Sequence, residues 1–151
     1  MINVPHIQTA LFTRYHDRYE MMNANAFLGR YECDFLGIRR SGFIDEFEIK
    51  LTRSDFRADF CKSCEDVLKH DELLNGKLPP NYFYFVAPEG IIKLEELNPK
   101  YGLIEVTDKG VLKTRKEARR LHKDKASDEQ KISLLKKHHW KWWNAFIDKQ
   151  K

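Results

Sequence analysis

The chain of 151 residues is long enough for one domain with its own hydrophobic core, and its 3 cysteines are an odd number for a disulfide framework. It has no run of about 18 apolar residues and no signal-peptide pattern, which argues against a membrane-spanning or secreted protein and predicts a cytoplasmic location. The net charge is +4, but residues 109–151 carry 14 Lys and Arg against 5 Asp and Glu, a basic flank typical of either a nucleic-acid partner or a solvated helix face.

The first half of the chain predicts a helix followed by three strands. Residues 5–16 open with a proline and place apolar residues at helical intervals. Residues 19–28 predict a first strand, and residues 31–39 and 43–51 predict two more strands that form a hairpin. A helix capped by Thr52 or Ser54 should follow. Its apolar stripe consists of Phe56, Phe60, Cys64, Val67 and Leu68.

The second half predicts two more strands and a long helix. The segment "LNGKLPPN" ends the preceding helix, and "YFYFVA", residues 82–87, is typical of a central strand covered on both faces. "YGLIEV", residues 101–106, predicts a further strand, and the basic "KTRKEARRLHKDK" leads into a helix from about Ser127 to Lys149. We therefore expect an α/β fold with a mixed sheet flanked by helices. Residues 1–115 should form its core and residues 116–151 a basic, Trp-rich helical extension packed on the same domain.

The hairpin carries charges that a buried strand normally lacks: Asp34, Glu48 and Lys50. Strand alternation places Cys33 on the same face as Phe35. A three-residue loop, residues 40–42, is favoured because glycine at its last position can adopt positive φ. That loop places Asp34 opposite Glu48, with Cβ atoms about 5 Å apart. A two-residue loop would instead put the two carboxylates on opposite faces.

A carboxylate pair of this kind predicts a cation site. Two carboxylates so close repel each other and raise a pKa unless a cation lies between them. Mg²⁺ suits such a pair, since it binds one or two carboxylates together with waters and a phosphate oxygen. Lys50 shares a face with Glu48 and can hold an attacking water or neutralise charge on a phosphate. The pattern predicts a metal-dependent phosphodiesterase, and the simpler alternative is an ordinary ion pair on a solvated sheet face.

At these residues the sequence resembles a known superfamily. Asp34, followed by Glu48-Ile49-Lys50 on the next strand, resembles the PD-(D/E)xK nucleases. The segments "ECDFLGI", "FEIKLTRSDFRADF", "YFYFVAPEG" and "YGLIEV" together resemble the MmcB-like DNA-repair group and related small phage and bacterial nucleases, over residues 18–115. The resemblance implies a restriction-endonuclease-like α-β-β-β-α-β core, Mg²⁺ or Mn²⁺ as cofactor, and hydrolysis of DNA phosphodiester bonds in DNA repair or phage DNA processing.

The resemblance also assigns roles to individual residues. It makes Asp34 and Glu48 metal ligands, the Ile49 carbonyl a third ligand, and Lys50 the catalytic lysine. The superfamily's N-terminal helix often supplies another acid, but residues 5–16 contain none. Glu20 or Glu32 would have to substitute for it, or the site would bind one ion rather than two.

Other residues have simpler interpretations or lie outside the hairpin. Asp55 and Asp59 are explained as acids near a helix start more simply than as site residues. Cys61 and Cys64 form a CxxC pair, for which a core-facing helix stripe is simpler than a zinc site. The expected DNA contacts give salt-sensitive affinity without sequence preference. They are Lys62, Arg115, Lys116, Arg119, Arg120 and Lys123.

The last helix contains "HHWKWWNAF", residues 138–146, and apolar or aromatic residues recur in it at near-heptad spacing. It could pack on the core, form a homodimer contact, or bind DNA through stacking and phosphate contacts. Taken together, the sequence predicts a Mg²⁺-dependent deoxyribonuclease, either an endonuclease or an exonuclease. The alternative is a catalytically inactive nuclease-fold module that binds DNA or recruits a partner. An RNA or nucleotide phosphodiesterase would share the same chemistry.

Overall fold

The computed structural model describes residues 1–151 and shows an α/β fold with a mixed six-stranded sheet flanked by helices. The sheet order is β1-β2-β3-β6-β7-β8, in which β3, β6 and β7 are parallel and the other neighbours are antiparallel. The helices are α1 Val4–Tyr15, α2 Arg53–Asp59, α3 Lys69–Leu74 and α4 Asp128–Lys149. The strands are β1 Tyr19–Phe27, β2 Glu32–Arg39, β3 Ile44–Ile49, β4 Ser63–Cys64, β5 Val67–Leu68, β6 Tyr82–Pro88, β7 Gly102–Val106 and β8 Leu112–Lys116.

The two faces of the sheet bury separate apolar clusters. On one face, Ile7 and Leu11 of α1 pack against Phe47 of β3 and its neighbours. On the other, Phe56 of α2 and Leu73 of α3 pack against β6 and β7. The strand β6 is covered on both sides, as its continuous apolar run predicts. No helix combines the length and the apolar composition that crossing a bilayer requires.

The hairpin of β2 and β3 has the predicted register. Phe35 pairs with Phe47, and Arg39 at the end of β2 donates its N–H to the Phe43 carbonyl at 2.8 Å. The loop therefore contains residues 40–42, and Gly42 has a φ of 95°, which a residue with a side chain rarely adopts. The paired residues end at Phe35 and Phe47, and beyond them the Asp34 side chain accepts a hydrogen bond from the Ile49 N–H at 2.7 Å. The prediction of a three-residue loop is confirmed.

One predicted face is wrong. Cys33 packs with Leu36 and Ile38, on the face opposite Phe35. The reason lies in the neighbouring strand, where Asn25 has a φ of 50° and the pairing of β1 with β2 skips Asn25 and Asp34. Such an irregularity interrupts the alternation of side chains along a strand. Simple alternation therefore fails one residue before the predicted metal ligand.

The predicted helix after the hairpin is shorter than expected. Thr52 accepts a hydrogen bond from the Asp55 N–H at 3.1 Å and caps α2, but the helix ends at Asp59. Cys64, Val67 and Leu68, which were expected on its apolar stripe, lie instead on the small hairpin of β4 and β5. The two turn residues Glu65 and Asp66 have φ values of 52° and 63°. This turn was missed because neither residue is the Gly or Asn that normally marks it.

The C-terminal part contains one strand that the sequence did not predict. Residues 112–116 pair with β7 as the edge strand β8, so the expected boundary between residues 115 and 116 falls inside a strand. The final helix begins and ends close to its predicted bounds. Ser127 caps it by accepting the Gln130 N–H at 3.0 Å, and Gln130 in turn accepts the Ser127 N–H at 2.9 Å.

Candidate functional site

A cluster of charged side chains lies under α2 and α3, on one face of β3. Glu46, Glu48 and Lys50 alternate with the apolar Phe47 and Ile49, so all three charges point to the same side. All three are buried, and so are Asp59 of α2 and Lys69 of α3. Buried charges are costly unless they are paired and hydrogen-bonded. This cluster is therefore the least expected feature of the core.

Asp34 lies at the open end of the cluster and is half-buried. Its Oδ2 accepts a hydrogen bond from the Ile49 N–H at 2.7 Å, which holds the carboxylate against the end of β3. Burial and the neighbouring charge of Glu48 raise the pKa of Asp34 to about 6, although the Ile49 N–H and nearby lysines oppose this shift. The charge of Glu48 thus disfavours the ionised form of Asp34.

Glu48 is surrounded by ammonium groups. Its Oε1 accepts hydrogen bonds from Lys62 at 2.8 Å and from Lys50 at 3.3 Å. Its Oε2 is buried without a hydrogen-bond donor and lies 3.7 Å from the Lys69 ammonium. One carboxylate oxygen of Glu48 is therefore occupied by lysines, and the other has no hydrogen bond.

A second set of contacts fixes Lys50 from the other side. Asp59 Oδ1 lies 2.8 Å from both the Lys50 and the Lys62 ammonium groups. Its Oδ2 lies 2.5 Å from His70 Nε2, and His70 Nδ1 lies 2.5 Å from the Tyr101 hydroxyl. Burial alone would raise the pKa of Asp59, but the His70 hydrogen bond and the ammonium groups of Lys69 and Lys50 outweigh it and lower that pKa. Asp59 is therefore a stable anion that holds the lysine.

A third ion pair, between Lys69 and Glu46, lies at the buried end of the cluster. Lys69 is almost completely buried, and its ammonium lies 3.2 Å from Glu46 Oε2. Burial lowers the pKa of Lys69, but the charges of Glu46, Glu48 and Asp59 outweigh it, so the pKa is raised. The ammonium also lies over the Phe83 ring, at 5.3 Å from its centroid. Lys69 thus stays charged beneath the two strand carboxylates.

The two acids considered as additional ligands lie outside the cluster. Glu20 is exposed on the edge strand β1, and its Oε2 lies 3.6 Å from Lys131 of α4. Glu32 is exposed at the start of β2 and pairs with Phe27 of β1. The structure does not bring either residue to Asp34 and Glu48.

The expected DNA contacts divide into two groups. Lys62 belongs to the cluster itself and bonds Glu48 and Asp59. Arg115 lies on β8 with its Nε 3.1 Å from Glu105, and Lys116 donates to the Asn98 carbonyl at 3.0 Å. These two residues lie three strands away from β3, at the edge of the sheet.

The remaining basic residues lie at the opposite end of β3. Arg119, Arg120 and Lys123 follow β8 on a segment that passes the start of β6, where the Leu121 N–H donates to the Asn81 carbonyl at 2.7 Å. The Arg120 guanidinium lies 5.5 Å from the centroid of Phe43, just before β3. Ile44 and Lys50 are roughly 20 Å apart along an extended strand. The basic segment is therefore not adjacent to the carboxylates.

The oxygen donors available to a cation at this end of β3 are few, and Glu48 Oε2 lies 3.7 Å from the Lys69 ammonium. No group of three or more His, Cys, Asp or Glu side chains is placed to hold an ion. Asp34, the unbonded Oε2 of Glu48 and the Ile49 carbonyl would supply two carboxylates and one carbonyl, which fits the few protein ligands that Mg²⁺ usually takes. Neither Glu20 nor Glu32 lies near enough to hold a second ion, and the carboxylates of Glu46 and Asp59 are already paired with Lys69, Lys50 and His70.

Several members of the cluster were not singled out from the sequence. Glu46 shares its face with Glu48 in the predicted strand, so alternation alone could have found it. Lys69, His70 and Tyr101 come from α3 and from the residue before β7, and their contacts depend on how distant elements pack. Asp59, for which an acid near a helix start is the simpler interpretation from sequence, is fully buried, forms ion pairs with Lys50 and Lys62, and hydrogen-bonds His70.

Comparisons with other proteins give a fold relationship. No protein-family model matches the sequence, and no curated protein matches it. A solved structure, the SPO1766 protein of unknown function from Silicibacter pomeroyi, superposes with a TM-score of 0.64 at 19% sequence identity. The match covers 95% of this chain and 89% of that chain. The chain therefore shares its α/β fold with that protein over nearly its whole length.

Proposed function

We propose that this chain is a metal-dependent deoxyribonuclease of the PD-(D/E)xK type, related to the MmcB-like group and acting in DNA repair or phage DNA processing. The supporting observation is the set of contacts at the end of the β2–β3 hairpin, where Asp34 accepts the Ile49 N–H at 2.7 Å and the Lys50 ammonium lies 3.3 Å from Glu48 Oε1. The order α1, β1, β2, β3, α2, β6 also agrees with the restriction-endonuclease-like core that the resemblance implies. Three free cysteines agree with a cytoplasmic location.

Each residue of the site has a distinct part in this proposal. Asp34, Glu48 and the Ile49 carbonyl would hold one Mg²⁺ or Mn²⁺. The bound ion supplies Lewis-acid polarisation of the phosphate and neutralises part of its charge. Lys50 stabilises the negative charge that grows on the phosphate in the transition state, and Asp59 keeps its ammonium in place.

The net reaction is hydrolysis without a covalent enzyme intermediate. The oxygen of a water molecule forms a new bond to phosphorus, and one bridging phosphorus–oxygen bond breaks. One proton of that water is released, and the leaving oxygen is protonated by solvent. The products are a phosphate monoester and a free hydroxyl group. The carboxylates of Glu48 and Asp59 lie 3.3 and 2.8 Å from the Lys50 ammonium.

Cleavage assays test the proposal. Labelled duplex, single-stranded and branched DNA, with labelled RNA as a comparison, should be incubated with Mg²⁺, with Mn²⁺ and with chelator. We expect metal-dependent cleavage of DNA that falls by roughly 100-fold or more in Lys50→Met, the magnitude of losing one transition-state charge partner. The matched control is Lys131→Met, because Glu129-Gln130-Lys131 repeats the same Glu-x-Lys spacing on an exposed helix. Undiminished cleavage by Lys50→Met would contradict the proposal.

One observation favours the second candidate, a nuclease-fold module that binds DNA or a partner without cleaving it. Glu48 Oε1 already bonds Lys50 and Lys62, so these lysines neutralise the site without a metal. A binding module should retain DNA affinity in the presence of chelator and show no cleavage with any substrate. The same assays therefore separate the two candidates.

A further inference from the structure

The outward side of α4 is apolar and exposed. Five positions at alternating spacings of three and four residues follow one line along this helix. We call this line the α4 seam, and it consists of Ile132, Leu135, His139, Trp142 and Phe146. Half or nearly half of the surface of its four apolar side chains is exposed. Trp142 and Phe146 stack on each other with their ring centroids 5.2 Å apart.

The opposite side of α4 is already in contact with the sheet. Leu134 is fully buried against β1 and β2. Lys137 donates to the Phe27 carbonyl at 2.8 Å, and Lys141 donates to the carbonyls of Ala24 and Asn25 at 2.9 and 2.8 Å. The helix is therefore docked on β1 through these residues. The α4 seam faces away from the rest of the chain.

We propose that the α4 seam pairs with the α4 seam of a second copy of this chain, with the two helices antiparallel. A two-fold axis beside His139 makes the seam self-complementary. Ile132 of one copy then lies opposite Phe146 of the other, and Leu135 lies opposite Trp142. This inference does not depend on the proposed nuclease activity, since it involves no residue of the carboxylate cluster.

The charges at the two ends of α4 select the antiparallel orientation. Asp128 continues the line of the seam at the start of the helix, and Lys149 continues it at the end. The antiparallel pair places Asp128 of one copy next to Lys149 of the other at both ends. A parallel pair would place Asp128 beside Asp128 and Lys149 beside Lys149, and like charges facing each other destabilise such a pair.

The exposed apolar area of the α4 seam suits a small, reversible dimer. Aromatic side chains bury about 150–250 Å² each, so Trp142 and Phe146 at about half exposure present on the order of 200 Å² per copy. Ile132 and Leu135 add two more half-exposed apolar side chains. The pair therefore falls in the size class of weak interfaces, below about 1,200 Å² in total.

Stacking on single-stranded nucleic acid fits the seam less well. Binding sites of that kind combine aromatic rings with cations that follow the phosphates. The five seam positions include no lysine or arginine, and Lys137 and Lys141 bond carbonyls of β1 on the far side of the helix. The seam positions themselves are apolar apart from His139, and Lys149 lies only at the end of their line.

Sedimentation velocity on the full-length protein tests the dimer. We expect a dimer at micromolar concentration. Leu135→Glu should raise the dimer Kd by at least about 30-fold, because it places a charge at the centre of the interface. Asn144→Glu is the matched control, since it adds the same charge to an exposed position of α4 away from the seam and should leave the dimer intact. Circular dichroism shows whether each variant keeps its helix.

Cross-linking tests the orientation. In a Cys61→Ser, Cys64→Ser background, His139→Cys should form a disulfide-linked dimer, because only residues near the two-fold axis approach their own copy within about 7 Å. Asp128→Cys in the same background should stay monomeric on denaturing gels. A monomeric wild-type protein, a cross-linked Asp128→Cys variant, or a monomer whose tryptophan fluorescence is quenched by oligothymidylate would each overturn the proposal.

Discussion

At the residue scale, Asp34 is held in a position that its charge does not favour. Its carboxylate is half-buried beside Glu48, and the pKa of Asp34 is raised to about 6. A carboxyl whose folded pKa exceeds its unfolded value near 4 stabilises the folded state only while it is protonated. That contribution is complete below about pH 4 and is lost as the pH rises through about 6. The metal-free protein should therefore be less stable at pH 7 than it would be with a neutral side chain at position 34.

Neutralising Asp34 should stabilise the metal-free protein. In Asp34→Asn the amide oxygen can still accept the Ile49 N–H, while the repulsion with Glu48 disappears. We expect the free energy of unfolding at pH 7 to rise by about 1–2 kcal/mol, once solvent screening of this half-buried group is allowed for. The gain should fall toward zero at pH 4.5. Urea denaturation at both pH values measures it.

The control for this prediction is Asp108→Asn, which removes an exposed carboxyl from the turn after β7. It should change stability by less than about 0.5 kcal/mol at either pH. An Asp34→Asn variant that is destabilised at pH 7, or whose effect is the same at both pH values, would contradict the conclusion that ionised Asp34 destabilises the metal-free fold.

Glu48 differs from Asp34 although both are acids of the same pair. Glu48 bonds Lys50 and Lys62, so its removal would leave buried ammonium groups without a partner. Breaking a buried pair on one side is strongly destabilising. For this reason Glu48→Gln, which keeps the size and a hydrogen-bond acceptor, is a better probe of the site than truncation to alanine.

At the element scale, the turn of the β2–β3 hairpin determines whether the site exists. Because side chains alternate along a strand, a one-residue slip would move Glu48 and Lys50 to the other face of the sheet. The three-residue loop prevents that slip, and its last position requires the left-handed conformation of Gly42. The turn therefore determines which face of the sheet carries Glu48 and Lys50.

Replacing Gly42 should therefore cost more than replacing a comparable glycine elsewhere. In Gly42→Ala the alanine would have to adopt the positive φ of Gly42. Its Cβ would lie 3.2 Å from Lys125 carbon atoms. Gly90→Ala is the matched control, because Gly90 has a φ of 80° but no atom within 4 Å of the added Cβ. We expect a loss of about 1–2 kcal/mol for the control and a larger loss for Gly42→Ala. Urea denaturation measures both, and equal losses would show that the turn is not crowded.

The helix α4 covers part of the edge strand β1. The carbonyls of Ala24, Asn25 and Phe27 on β1 accept hydrogen bonds from Lys137 and Lys141 of α4. An uncovered edge strand exposes such groups to pairing with other chains. The helix α4 thus covers these carbonyls of β1 on one side, and the α4 seam, for which we propose a second copy as partner, lies on the other side.

At the scale of the whole molecule, the basic segment after β8 lies apart from the carboxylate cluster, which contains its own lysines, Lys50, Lys62 and Lys69. The acidic residues Asp34, Glu46 and Glu48 are gathered at β2 and β3 under α2 and α3. The basic residues after β8 lie at the other end of β3. A DNA strand that reaches both regions would have to follow the sheet for roughly 20 Å.

Local patterns predicted most of the fold and the centre of the site. The spacing of apolar residues gave α1 and α4, the continuous run of β6 gave the central strand, and Gly42 gave the register of the hairpin that ends next to Asp34 and Glu48. The strand β8 was missed because its exposed "LKTRK" has one buried residue, Leu112. The roles of Lys69, His70 and Tyr101 depend on packing between distant elements, which no local pattern contains.

The central claim is that Asp34 and Glu48 share one cation. Calorimetric titration with Mn²⁺ tests it most directly, with the wild-type protein, Asp34→Asn, Glu48→Gln and the control Lys131→Met. We predict one ion per chain for the wild type and the control, and loss of binding in both acid variants. A protein that binds no Mn²⁺, or a Glu48→Gln variant that binds it as the wild type does, would contradict the claim.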